Sequence, residues 1–125
     1  MAAIGFKFLW ALLGLYILNQ GYAKKCGPSD IRVAQSKTGE VVEGQSQFEV
    51  TISNTCACPQ SNVKIGCSGF SSVGPSPNPS VFRMLDDSTC IVNDGKPIAN
   101  GSPVKFTYAF ATPSDLPVVG ADPSC

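Results

Sequence analysis

In the middle of the chain apolar and polar side chains take turns. Phe48, Val50 and Ile52 are separated by Glu49, Thr51 and Ser53. This period of two predicts a strand with one face in a core and the other in water. The same period returns at Val63, Ile65 and Cys67 against Asn62, Lys64 and Gly66, and at Val104, Phe106, Tyr108 and Phe110 against Lys105, Thr107 and Ala109. One-sided alternation of this kind belongs to antiparallel sheets, because strands of a parallel sheet are usually covered on both faces. Shorter strands are expected over residues 30–35, 81–85 and 90–93. Turn-forming residues bound them at Thr38-Gly39, Asp86-Asp87-Ser88 and Asn93-Asp94-Gly95. Asn78-Pro79 would also suit the cap and first position of a helical turn, but strand is the preferred reading of residues 81–85.

The sequence holds 10 Pro and 12 Gly, and beyond residue 23 it has no run with a helical period. Residues 69–80 carry so many prolines that ladder hydrogen bonding is excluded and a loop is expected. The fold class that follows is all-β: an antiparallel β-sandwich or barrel of six to seven short strands stapled by disulfides.

The first segment follows a different pattern. Lys7 precedes an apolar run over residues 8–18, which gives way to Asn19-Gln20 and then to Gly21-Tyr22-Ala23. A charged head, a short apolar run and small residues at the −3 and −1 positions form a secretory signal, with cleavage expected between Ala23 and Lys24. The run falls short of the roughly 20 residues that cross a bilayer. Residues 1–23 are therefore expected to be a signal peptide and residues 24–125 one domain, secreted to the extracellular space or apoplast, with no membrane association after cleavage. Lys24-Lys25 reads as the polar start of the mature chain rather than as a dibasic processing site.

Composition then removes whole classes of function. The chain has 125 residues and no histidine, so mechanisms built on an imidazole base or an imidazole metal ligand are excluded. Nine Lys+Arg balance nine Asp+Glu, which leaves no basic footprint for nucleic acid. All six cysteines, at positions 26, 56, 58, 67, 90 and 125, lie beyond the signal segment, and an even number entering an oxidising compartment reads as disulfides. Of the 15 complete pairings of six cysteines, those joining Cys56 to Cys58 are set aside, because so small a loop gives poor geometry and removes little chain entropy. The others stay open. If strand geometry persists there, Cys56 and Cys58 share a face and bridge to different neighbouring segments. A thiolate metal site at Cys56-Ala57-Cys58 is the sharper alternative, but the spacing is wrong for structural zinc and no second pair exists, so neither metal nor cofactor is expected.

Three segments carry a family resemblance. Cys26 followed by Asp30-Ile31-Arg32-Val33-Ala34-Gln35-Ser36-Lys37-Thr38-Gly39, then Phe48-Glu49-Val50-Thr51-Ile52-Ser53-Asn54-Thr55-Cys56, then Cys90-Ile91-Val92-Asn93-Asp94-Gly95-Lys96-Pro97-Ile98 resemble the tapetum determinant family of plant secreted cysteine-rich proteins. Residues 101–109 and the terminal Cys125 are similar to that family's closing strand and last cysteine. The resemblance implies an extracellular signalling ligand read by the ectodomain of a leucine-rich-repeat receptor kinase, which in the founding member directs anther cell fate through tapetum differentiation. Only the cysteines and the Asn93-Asp94-Gly95 turn carry over as matching positions. No receptor-contact residue is identified.

Other candidate chemistry is sparse. Asp86-Asp87 offers two carboxylates, but adjacent acids on a turn more often bond their own backbone than a cation or a substrate. Asn100-Gly101-Ser102 is an N-glycosylation acceptor sequence, followed by Pro103, which makes such sites poorer acceptors. A cell-wall carbohydrate- or lipid-binding module is the alternative to a signalling ligand. The one tryptophan, Trp10, leaves with the signal, and the alternation assigns the remaining aromatics to the core, which argues against sugar stacking. Nothing resembles a nucleotide-sugar site, and no enzyme activity is expected.

Overall fold

The computed structural model describes Lys25–Cys125; the expected signal peptide and the Ala23/Lys24 cleavage point lie outside the described residues. Seven strands follow one another: β1 (Ile31–Val42), β2 (Gln45–Asn54), β3 (Gln60–Gly66), β4 (Phe82–Met84), β5 (Thr89–Val92), β6 (Val104–Ala109) and β7 (Val118–Pro123). They form a three-stranded sheet in the order β1-β2-β6 and a four-stranded sheet in the order β4-β5-β3-β7. Every pairing is antiparallel. Of the two architectures expected, the sandwich is the one formed; the sheets do not close into a barrel.

The alternation decides what lies between the sheets. Val50 and Ile52 of β2 and Val63 and Ile65 of β3 are all 0 % exposed, each removed from water by the sheet opposite. Full burial of a side chain of this size is worth about 1.5–3 kcal/mol. Phe106 of β6 stacks on Phe82 of β4 with ring centroids 4.2 Å apart, which joins the two sheets along one side. Phe70 closes that side, its ring 5.3 Å from Phe82 and 5.0 Å from Tyr108. The Tyr108 hydroxyl donates to Gln35 Oε1 and accepts the Ser114 N–H, so a buried ring meets its polar requirement at the rim.

Three local expectations need correction. The turn expected at Thr38-Gly39 does not form: β1 runs through it, with a register shift between Lys37 and Val41, and Gly39 at φ +92° absorbs the irregularity. The chain reverses instead at Glu43-Gly44, where φ values of 49° and 81° make a two-residue hairpin whose twist matches the strands. At residues 81–85 both readings hold in part. Asn78 O accepts from the Val81 and Phe82 N–H groups as in a helical turn, and the strand begins at Phe82. Finally, β7 was not expected, because Gly120, Pro123 and the preceding Pro117 interrupt any alternation; it is an edge strand with register irregularities against β3.

Candidate functional site

Three regions outside the core carry the chain's remaining chemistry. The first lies where both ends of the domain meet. Beyond β2 the chain turns through Cys56-Ala57-Cys58, and the two cysteines bridge in different directions: Cys56 to Cys26 near the start of the domain, Cys58 to Cys125 at its end. The third bridge, Cys67–Cys90, crosses from the end of β3 to β5 and is fully buried. All six cysteines are thus in bridges, which leaves Cys56 and Cys58 no thiolate to offer a metal. The sulfurs of Cys26, Cys58 and Cys125 lie within 4.8 Å of one another, so the two terminal bridges touch.

A buried amide pair holds this junction in place. Asn54, at the end of β2, donates from Nδ2 to Cys58 O at 2.8 Å and to Ile98 O at 2.9 Å, and its Oδ1 accepts the Cys56 N–H at 3.0 Å. Gln60 donates to Gly27 O at 3.0 Å and to Asn54 Oδ1 at 3.3 Å. Gln60 Oε1 is buried with no hydrogen-bond partner among the described residues. Sequence reasoning missed both amides. The signal available was parity, since Asn54 continues the even-numbered buried face of Phe48, Val50 and Ile52. Asn100 sits exposed beside the junction on a turn with Gly101 at φ +85°, and its Nδ2 donates to Cys56 O at 3.2 Å.

The second region is the acidic turn. Asp86 Oδ1 accepts the N–H of Ser88 at 2.9 Å and of Thr89 at 2.8 Å, and these bonds, Ser88's first, hold its carboxyl below the ordinary aspartate value. It therefore shapes the β4–β5 turn through Oδ1, by bonding the backbone that follows it. Asp94 lies in the Asn93-Asp94-Gly95 turn, where all three residues have φ between 56° and 77°. A hydrogen bond from Arg83, reinforced by that guanidinium's charge, lowers its carboxyl pKa as well. Gly95 has a second reason to be glycine: a Cβ there would lie 3.0 Å from Asn62 Oδ1.

The third region is the loop expected over residues 69–80, which crosses the open side of the sandwich between the edge strands β6 and β4. Two grooves of about 300 and 310 Å³ flank it, one along β6 and one along β4, with Ser76 and Pro77 common to both. Among the described residues lining the two grooves the charged ones are Lys105 and Arg83.

A family model described as "Tapetum determinant 1, C-terminal" matches residues 27–124, from the position after Cys26 to the position before Cys125, and so takes in the whole sandwich. The chain belongs to this family. It is 38 % identical over 86 residues to TPD1 protein homolog 1 of Arabidopsis thaliana, a match covering 67 % of this chain and 48 % of that one. It is 32 % identical over 100 residues to TPD1 protein homolog 1A of Oryza sativa subsp. japonica, covering 74 % of this chain and 44 % of the relative. The chain thus spans about half the length of these two tapetum determinant relatives. An uncharacterised Arabidopsis thaliana protein is 31 % identical over 107 residues, with 82 % and 83 % of the two chains covered. No solved structure matches the chain.

Proposed function

We propose that this tapetum determinant family member is a secreted signalling ligand, recognised by the ectodomain of a leucine-rich-repeat receptor kinase and acting in plant cell-fate specification. The observation that carries the reading is the family match across the entire sandwich. The architecture supports it. Two bridges tie the start and the end of the domain to the single tripeptide Cys56-Ala57-Cys58, so the surface is ordered before any partner arrives and binding spends little entropy on folding. In this reading residues 1–23 direct export, Lys24 begins the mature chain, and the protein catalyses nothing. Asn100 is a glycosylation acceptor whose amide gives one hydrogen to Cys56 O and keeps the other for the glycan.

The test uses protein secreted from plant cells. Intact mass and thiol alkylation are expected to show a chain starting at Lys24 with no free thiol, and deglycosylation reads Asn100. The same material is then titrated against a panel of leucine-rich-repeat ectodomains and a cell-wall glycan array. Saturable binding to one or a few ectodomains supports the ligand reading; binding to glycans alone replaces it with the cell-wall module.

A further inference from the structure

Strand β6 keeps part of its outer ladder unpaired. Its even-numbered residues face β2, as the Phe110 N–H shows by donating to Ser46 O at 3.2 Å just beyond the paired positions. Odd-numbered residues therefore aim their backbone groups away from β2. Ala109 does so visibly: its N–H donates to Ser72 Oγ at 3.1 Å and its carbonyl accepts the Val73 N–H at 2.8 Å. At Lys105 and Thr107 the corresponding outward N–H and C=O groups have no hydrogen-bond partner among the described residues.

These groups open onto the groove of about 300 Å³ along β6, whose far wall includes Pro75, Pro77 and Val81. The two prolines have no N–H to give, so the wall covers the edge without completing its ladder. The loop already occupies the edge at Ala109 through Ser72 Oγ and the Val73 N–H, so the free stretch is the short run Lys105–Thr107, which suits a single extended segment. Lys105 is the one charged residue lining the groove, and it is not part of an ion pair. On the opposite face of the strand, Phe106 and Val81 make that side of the groove apolar.

We propose that an extended segment of a partner protein docks here as an added strand, hydrogen-bonded to the backbone of Lys105 and Thr107. Alternation gives its side chains two environments: an acidic residue on the Lys105 face and apolar residues toward Phe106 and Val81. The proposal goes beyond the receptor reading and stands whether or not the partner is a receptor kinase.

The experiment follows amide exchange by NMR in the full secreted chain, with a synthetic heptapeptide, acetyl-Thr-Val-Glu-Val-Thr-Val-Glu-amide, as probe. In the free protein the Lys105 and Thr107 amides should exchange much faster than those of Phe106 and Tyr108, and the peptide should slow them. A peptide N-methylated at alternate residues, unable to pair, should leave them unchanged. Thr107→Pro removes an outward N–H while sparing the ladder to β2, and should weaken peptide binding about three- to tenfold, the value of one hydrogen bond; Thr107→Val should not. If Thr107→Pro fails to fold, the N-methylated peptide makes the same comparison on the native chain. Slow exchange at Lys105 and Thr107 without peptide, no slowing at millimolar peptide, or equal binding of the N-methylated form overturns the proposal. Slowing that follows protein concentration instead would assign the edge to self-association and overturn it too.

Discussion

Asn54 is 2 % exposed and satisfies four partners in the space where both terminal bridges converge. Leucine is close to it in size but can make none of these bonds. Asn54→Leu would leave the Cys58 carbonyl and the Cys56 N–H without their side-chain partner, while the Ile98 carbonyl keeps the Gln60 N–H. An orphaned group costs about 1–3 kcal/mol, so the expected loss is on the order of 2 kcal/mol or more, read from the urea midpoint. Peptide mapping of refolded material should also show mispaired bridges at Cys26, Cys56 and Cys58, because the amide orients the segment between β2 and β3. Full stability with native pairing would mean that the bridges alone determine the junction. This residue shows where reading the chain stops: parity puts Asn54 on the buried face, but a polar residue at a strand end equally suits a turn, and its bonds depend on how the nearby Cys56–Gln60 segment folds back and on Ile98, which is distant in sequence. The cysteines could be recognised by type alone, whereas their pairing required the fold.

Elements were legible to the extent that their own residues specify them. β2 buries every second side chain from Phe48 onward, β3 does so from Val63 and β6 at Phe106 and Tyr108, and that period is written locally. β7 is not: its place beside β3 depends on contacts such as the Gly66 N–H donating to Pro117 O at 2.7 Å, and its sequence carries little strand preference. The position of the β1–β2 reversal was misplaced for a similar reason. Thr38-Gly39 carries turn chemistry, yet the pairing of β1 with β2 resumes at Val41 beyond it and the chain reverses at Glu43-Gly44. For β6 the alternation makes a sharp claim. Phe106 is 7 % exposed and stacked on Phe82, while Lys105 faces water one residue away. Phe106→Asp places an unpaired charge against that ring at a cost of several kcal/mol, comparable with the whole stability of a small domain. Its secretion should be lost, and Lys105→Asp should be secreted like the native chain. Normal yield of Phe106→Asp with a binding defect alone would make the aromatics of β6 a recognition surface rather than core.

In the whole molecule, the three bridges divide the work unequally. Cys67 and Cys90 are 0 % exposed and lock β3 to β5 inside the core, whereas Cys125 is exposed at the chain's end and Cys58 half-buried beside it. A thiol reductant reaches the outer bridge without unfolding anything and reaches the inner one only when the sheets part. Graded reduction followed by differential alkylation should therefore label Cys58 and Cys125 first and Cys67 and Cys90 last. The outer bridge closes the longest loop, with a sequence separation of 67. In the chain-entropy model its opening costs about 4 kcal/mol of stability, roughly 1 kcal/mol more than the 23-residue separation of the inner one would. Proximity adds a second consequence. Because the sulfurs of Cys26, Cys58 and Cys125 lie within 4.8 Å of one another, a Cys58 thiolate released by reduction stands beside the Cys26–Cys56 bridge and can displace Cys56 from it. The new bond is Cys26–Cys58, and Cys56 leaves as the thiolate. Attack needs the deprotonated sulfur, so partial reduction at pH 8 should yield the Cys26–Cys58 isomer and partial reduction at pH 4 with an acid-active phosphine should not. Mass mapping of the two samples reads the outcome directly: first opening at Cys67–Cys90 would contradict the burial argument, and an absence of the isomer at pH 8 would contradict the exchange.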